Sequence, residues 1–241
     1  MDQSKIETNA QLKAFYKTAG TMALLIVLAG LADTITSILG GEARDNSTVS
    51  IVEWFTLFQT NRFYAFSNLG FINIITLTLG IPIYIALYNA HRRDHPAFAA
   101  LASILFFIGT AIYISSNTVF PMFALSKQYA VATDVQRPLL EAAGRAALAQ
   151  GADLTPGTFM GFFFTQTAGI LVTSVMLRGG VFGKWTAWTG LAGFSLTSVF
   201  FVLAAFVPEN YDTAMVFAMS GGLMLLAYHI LLARRFFQLV G

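Results

Sequence analysis

The chain has 241 residues, of which 56% are hydrophobic and only 11% charged, with a net charge of +2 and a mean hydropathy of +0.67. A water-soluble domain carries about a quarter charged residues, so the polar surface needed to face water on all sides is missing. The small net charge gives nucleic acid no basic field to read. The absence of cysteine excludes disulfides, thiolate nucleophiles and thiolate-held metals.

Taken in chain order, the polar start MDQSKIETNAQLKAFYK runs too long for the basic segment of a cleavable signal. The apolar stretch 18–39 behind it exceeds a signal core and reads as a first membrane span. A helix needs about 20 residues, at about 1.5 Å each, to cross a hydrocarbon core of about 30 Å. Six segments meet that length: 18–39, 63–89, 97–117, 157–178, 186–207 and 213–233. Apolar residues cover every face of these runs, as lipid allows and a half-buried soluble helix does not. Period-2 alternation is absent. The predicted fold class is therefore all-α, a polytopic six-transmembrane-helix bundle forming a single integral membrane domain over 1–241. The second and longest span carries Pro82, which predicts a tilt or kink.

Charge asymmetry predicts the orientation. With the N-terminus inside, the inner segments hold Lys5, Lys13, Lys17, Arg92, Arg93, Arg178, Lys184, Arg234 and Arg235, nine of 14 cations, beside Asp2, Glu7 and Asp94. The outer segments hold the other five cations and eight acids. Lys and Arg accumulate in short cytoplasmic loops, so the expectation is six spans with both termini cytoplasmic. Two outer connections, 40–62 and 118–156, are long enough to carry interfacial helices. In IVEWFTLF (51–58), Ile51, Phe55 and Phe58 share a face flanked by Val52 and Trp54, which suits a headgroup-level anchor. In DVQRPLLEAAGRAALAQ, Asp134 is a predicted helix cap and Pro138 a first-turn residue. Leu139, Leu140, Ala143, Ala147 and Leu148 form its weak apolar face. NST at 46–48 fits a glycan acceptor.

Within the spans, small and hydroxyl residues recur at helical spacing: Gly157, Gly161, Thr165, Gly169 and Thr173, then Thr186, Gly190, Gly193 and Thr197. Such stripes let backbones approach closely, and packing of this kind holds helices together in lipid. Gly157, Gly161, Gly169 and Gly190 are accordingly expected at helix contacts, within the bundle or between copies. Asp33, Asn68, Ser116 and Asn117 fall in the outer halves of their spans, with Asn73 and Gln166 near the midplane. Two readings stay open, a shared polar pocket for a ligand or ion and separate interhelical hydrogen bonds.

Asp33 is the sharpest of these residues. An ionised carboxylate at that depth costs several kcal/mol unless it faces the bundle interior. Ala29, Gly30, Thr36, Ser37 and Gly40 share its side, all small or polar. Arg62, just before the second span at the outer boundary, is a candidate cation that could snorkel inward to reach it. It reads as a proton or cation site, a polar anchor for a ligand, or a hydrogen-bonded structural acid.

Familiar chemistry is absent. His229 is the lone histidine within a span, since His91 and His95 lie in the inner loop, so no histidine pair for haem or triad for zinc is available. HExxH does not occur, and no second aspartate lies in a span for a two-aspartate protease. GFSL at 193–196 lacks the glycine that would complete a serine nucleophile turn.

The stretch SSNTVFPMFALSKQYAVATDVQRPLLEAAGRAALAQ (115–150), with RGGVFGKWTAWTG (178–190), resembles a family of bacterial six-span inner-membrane proteins of unknown function. The resemblance covers the second half of the chain. It implies a bacterial inner membrane and six helices, and brings no catalytic residues with it. Together these readings put a non-catalytic membrane component first: an accessory subunit, or a binder of lipid or another apolar ligand through an outer polar pocket. A small proton- or cation-coupled transporter or channel using Asp33 comes second, and a membrane-embedded enzyme last. No cofactor is called for. Expected partners are membrane lipids, other subunits or a second copy, and not nucleic acid.

Overall fold

The computed structural model describes residues 3–39 and 49–240. The Asn–Ser–Thr triplet at 46–48 and Gly40 lie outside the described residues. The described residues form ten α-helices and one short 3-10 turn (Pro208–Asn210), with no strand among them. Six of the helices are long and apolar enough to cross a membrane. They are α1 (Gln3–Leu39), α4 (Phe71–His91), α5 (Pro96–Ser116), α8 (Pro156–Arg178), α9 (Lys184–Phe206) and α10 (Tyr211–Gln238). The protein is an all-α polytopic bundle, and its composition and helix lengths make it an integral membrane protein.

These six helices form a closed ring in chain order. Each packs on its predecessor, and α10 returns to α1. Leu28, Leu31, Phe98, Ile104, Val216 and Leu223 stay exposed on the ring's outside, as hydrocarbon permits. Inside one half of the ring, Tyr84 stacks on Phe106 with centroids 3.9 Å apart, among Ala23, Leu87, Val172 and Met176. The glycine stripes lie at the helix contacts. A Cβ on Gly161 of α8 would lie 2.7 Å from Tyr113 Cβ of α5, and one on Gly109 of α5 would lie 2.8 Å from the Gly161 carbonyl. Gly169 faces Phe194 of α9, Gly190 faces Tyr228 of α10, and Gly193 faces Leu225. Gly157 differs: it turns toward the Gln150 carbonyl at the entry to its own helix.

The second span departs from the single helix expected over 63–89. It is broken into α3 (Arg62–Asn68) and α4, with Leu69 and Gly70 between them. Gly70 has φ +83°, a left-handed conformation that closes α3 and that side chains with a Cβ disfavour. Pro82, by contrast, sits inside an uninterrupted α4.

One end of the ring carries a cap. It consists of α2 (Ile51–Thr60), α3, α6 (Val119–Ala130) and α7 (Arg137–Gly151). Helix α6 was not foreseen from the sequence, because VFPMFALSKQYA lacks a clear period. A capping box starts α2: Ser50 Oγ accepts from the Glu53 amide, and Glu53 Oε2 accepts from the Ser50 amide. The expectation of a headgroup anchor at 51–58 gives way here. Ile51, Trp54, Phe55 and Phe58 are buried in a core of their own with Val119 and Met122 of α6. Gly144 of α7 lets that helix press onto Ile51 and Phe55. Asp134 does not cap α7, whose N-cap is Gln136. It lies a turn earlier and pairs with Arg137 at 3.5 Å.

The opposite end of the ring is basic. The turns 92–95 and 179–183 meet there with the start of α1 and the end of α10. His91 packs against Gly179 and Phe182, Tyr16 stacks on Phe236, and Arg235 Nε donates to the Val181 carbonyl at 2.6 Å.

Candidate functional site: a buried carboxylate under the cap

At the break the Leu69 carbonyl accepts from a side chain, and polar residues of the capped end converge there. Asn117, at the C-terminus of α5, donates from Nδ2 to the Leu69 carbonyl at 2.8 Å. Its Oδ1 accepts from the Val119 amide, so one side chain both holds the break and starts α6. Tyr113, one turn earlier, is fully buried. Its hydroxyl donates to Asp153 Oδ1 at 2.7 Å, with the Gly70 carbonyl 3.2 Å away, and accepts from Asn117 Nδ2 at 3.3 Å.

Asp153 stands in the linker between α7 and α8 and is buried. Its second oxygen, Oδ2, accepts from Asn73 Nδ2 at 2.9 Å. A carboxylate taken from water is tolerable only when donors replace the water, and Tyr113 and Asn73 supply one to each oxygen. The fit is tight because residue 70 is glycine. A Cβ there would overlap the Tyr113 hydroxyl and lie 2.8 Å from Asp153 Cγ. Leu154, next to the acid, has φ 59°, so the linker turns sharply to aim the carboxyl inward.

Asp33 of α1 joins from the side. It is half-buried and accepts from Ser67 Oγ of α3 at 2.9 Å. Arg62 is not its partner: among the described residues the ion pairs are Arg137–Asp134 and Arg145–Glu141, both on exposed cap surface. Ser67 thereby ties Asp33 to α3, the helix that ends at the break.

Of the six residues singled out for a pocket, Asn73 and Asn117 therefore meet, and Asp33 adjoins them. The other three turn elsewhere. Asn68 Nδ2 donates to the Tyr64 carbonyl and Ser116 Oγ to the Tyr113 carbonyl, each within its own helix. Gln166 Oε1 accepts from Thr197 of α9 at 2.9 Å, away from the cap. His229 Nδ1 lies 2.7 Å from the Leu225 carbonyl of its own helix, so that nitrogen carries the ring proton. Among the described residues no group of three or more His, Cys, Asp or Glu gathers as a metal would need.

Sequence reasoning missed the central pair, Tyr113 and Asp153. Tyr113 reads as one more aromatic in an apolar span, and Asp153 as one more acid in an outer loop. The signal available was GADLTP itself, a carboxylate three residues ahead of a helix-starting proline, in a loop too apolar to be wholly solvated.

The chain matches no family model, no curated protein and no solved structure.

Proposed function

We propose that the protein is a non-catalytic component of a membrane complex, set in a bacterial inner membrane with both termini cytoplasmic, that engages an apolar partner through its cap. What supports the orientation is the gathering of Arg92, Arg93, Arg178, Lys184, Arg234 and Arg235 at the uncapped end. Trp185 and Trp188, 80% and 55% exposed, lie at the same end, at the level where tryptophan prefers the headgroups.

The observation that carries the function is the tip of the α6–α7 hairpin. Val131, Val135 and Leu139 are 85%, 82% and 70% exposed there. The hairpin is not loose: Tyr129 Oη donates to Glu141 at 3.0 Å, and the Phe55 ring packs 5.0 Å from Tyr129. Ala142, Ala143, Ala146 and Ala149 continue the exposed apolar strip along α7. Small residues on a firmly held helix allow a second helix to approach closely. The Asp153 network then serves as the clasp, holding the linker after α7 to the bundle so that the cap is presented rigidly.

The test is photo-crosslinking from positions 135 and 139 of the full chain in its native membrane, followed by mild-detergent purification. The reading expects a discrete adduct with another membrane protein from both positions. Adducts with lipid alone, or a monodisperse chain with nothing attached, would overturn it.

A second reading, proton or cation coupling, is favoured by one observation: half-buried Asp33 is bonded by Ser67 to α3, the helix that ends at the break beside which Asp153 is buried. Proteoliposome flux abolished by Asp33→Asn in a stably folded protein would support it. Flux that survives the substitution, or no flux in wild type, would leave the acids structural.

A further inference from the structure

At the uncapped end, four segments distant in sequence are drawn together by buried aromatic contacts. The His91 ring lies 5.5 Å from Phe182, Phe182 lies edge-on to Phe236, and Phe236 stacks on Tyr16. This plug brings the α4–α5 turn, the α8–α9 turn, the end of α10 and the first half of α1 to one surface.

The cations crowd onto that surface. Arg92, Arg93, Arg178, Lys184 and Arg234 are exposed, and Arg235 is held in place through its bond to the Val181 carbonyl. The only acid on the two turns is Asp94, and no ion pair forms with any of the six among the described residues. Six positive charges with no ion-pair partner among the described residues raise the local potential, and mobile salt answers it only in part. Around them the surface is shaped for lipid. Trp185 projects beside Lys184, and Phe98 of α5 is 52% exposed a short way beyond Arg92 and Arg93. The turn 179–183 contributes open backbone, with nothing within 4 Å of a Cβ built on Gly180 or Gly183. Close approach by a bulky phosphate is therefore unhindered.

We infer that this basic end is a binding surface for anionic phospholipid, whose phosphate sits among Arg92, Arg93, Arg178 and Lys184 while its acyl chains run along the exposed side of the ring. The partner follows from charge complementarity and from the apolar faces that continue directly from the cations. A soluble anion would use the charges and leave Trp185 and Phe98 without a role.

The test uses the full chain in detergent, with phosphatidylglycerol or phosphatidylcholine added, read by lipid adducts in native mass spectrometry and by melting temperature. Wild type is expected to retain phosphatidylglycerol in preference and to melt higher with it. Removing a juxtamembrane charge costs roughly fivefold in anionic-lipid affinity, so R92Q/R93Q/K184Q should lose about a hundredfold. R137Q/R145Q, on the cap, should retain the preference in full. Raising the salt on unmodified wild type supplies a check that needs no variant, and the preference should fall steeply. Equal retention of both lipids by wild type, a preference indifferent to salt, or one unchanged in the triple variant would each overturn the inference. Inorganic phosphate that reproduced the thermal gain would also overturn it, since it would make the acyl chains irrelevant.

Discussion

Replacing Gly70 by alanine tests the clasp at its tightest point. The backbone there has φ +83°, and a non-glycine residue in the left-handed region costs about 1–2 kcal/mol. The added methyl also has no room, because it would overlap the Tyr113 hydroxyl and lie 2.8–2.9 Å from Asp153 Cγ and Oδ2. Either the tyrosine or the linker must withdraw. A buried carboxylate that loses one of its donors is left short by about 1–3 kcal/mol. Together Gly70→Ala should cost about 2–5 kcal/mol, measured by SDS-titrated unfolding in mixed micelles. The two contributions separate in a Tyr113→Phe background. There the hydroxyl that the methyl strikes is gone and the donor already lost, so Gly70→Ala should cost only about 1–2 kcal/mol for the backbone, plus residual crowding of Asp153. A penalty identical in both backgrounds, or a wild-type-like Gly70→Ala protein, would refute the account of residue 70 as a cradle for the tyrosine–aspartate pair.

Two further substitutions probe the same architecture. At Leu154, φ 59° is poorly suited to any β-branched residue, so Leu154→Val should destabilise by about 1–2 kcal/mol. Leu154→Gly, which removes more apolar surface, should stay within about 1 kcal/mol of wild type, and the opposite order in chemical unfolding would argue against strain in the linker. Gly161→Ala places a methyl 2.7–3.0 Å from the Cβ and backbone of Tyr113, atoms that cannot swing aside, so α5 and α8 must part at a cost of about 1–3 kcal/mol. Gly180→Ala, with open space around it, is the matched control and should melt like wild type.

Much of the architecture was written into the sequence by properties that need no tertiary partner. Six apolar runs of bilayer length, with cations concentrated in HRRDHP and RGGVFGK, specify the number of spans and their charge asymmetry, because lipid demands that each backbone satisfy itself within its own segment. The glycine and threonine stripes of α8 and α9 announced close helix contacts for the same reason. Asn73 and Asn117 could be marked as polar groups needing partners.

The tertiary structure decided what those partners are. Interruption of the second span at Gly70 followed from no local signal strong enough to outweigh the hydrophobic run. It becomes intelligible only once Tyr113 from α5 and Asp153 from the α7–α8 linker, 43 and 83 residues further on in number, fill the space a side chain would need. Burial of IVEWFTLF likewise depends on α6, a helix whose own sequence gave little sign of itself, so a segment read as a membrane anchor became the core of the cap. Asp33, for its part, turned out to meet Ser67 across the break rather than Arg62 at the boundary. Periodicity and composition report what a segment can bury. Which buried polar atoms find each other is set by how distant helices are brought together, and that information is carried by no single stretch of the chain.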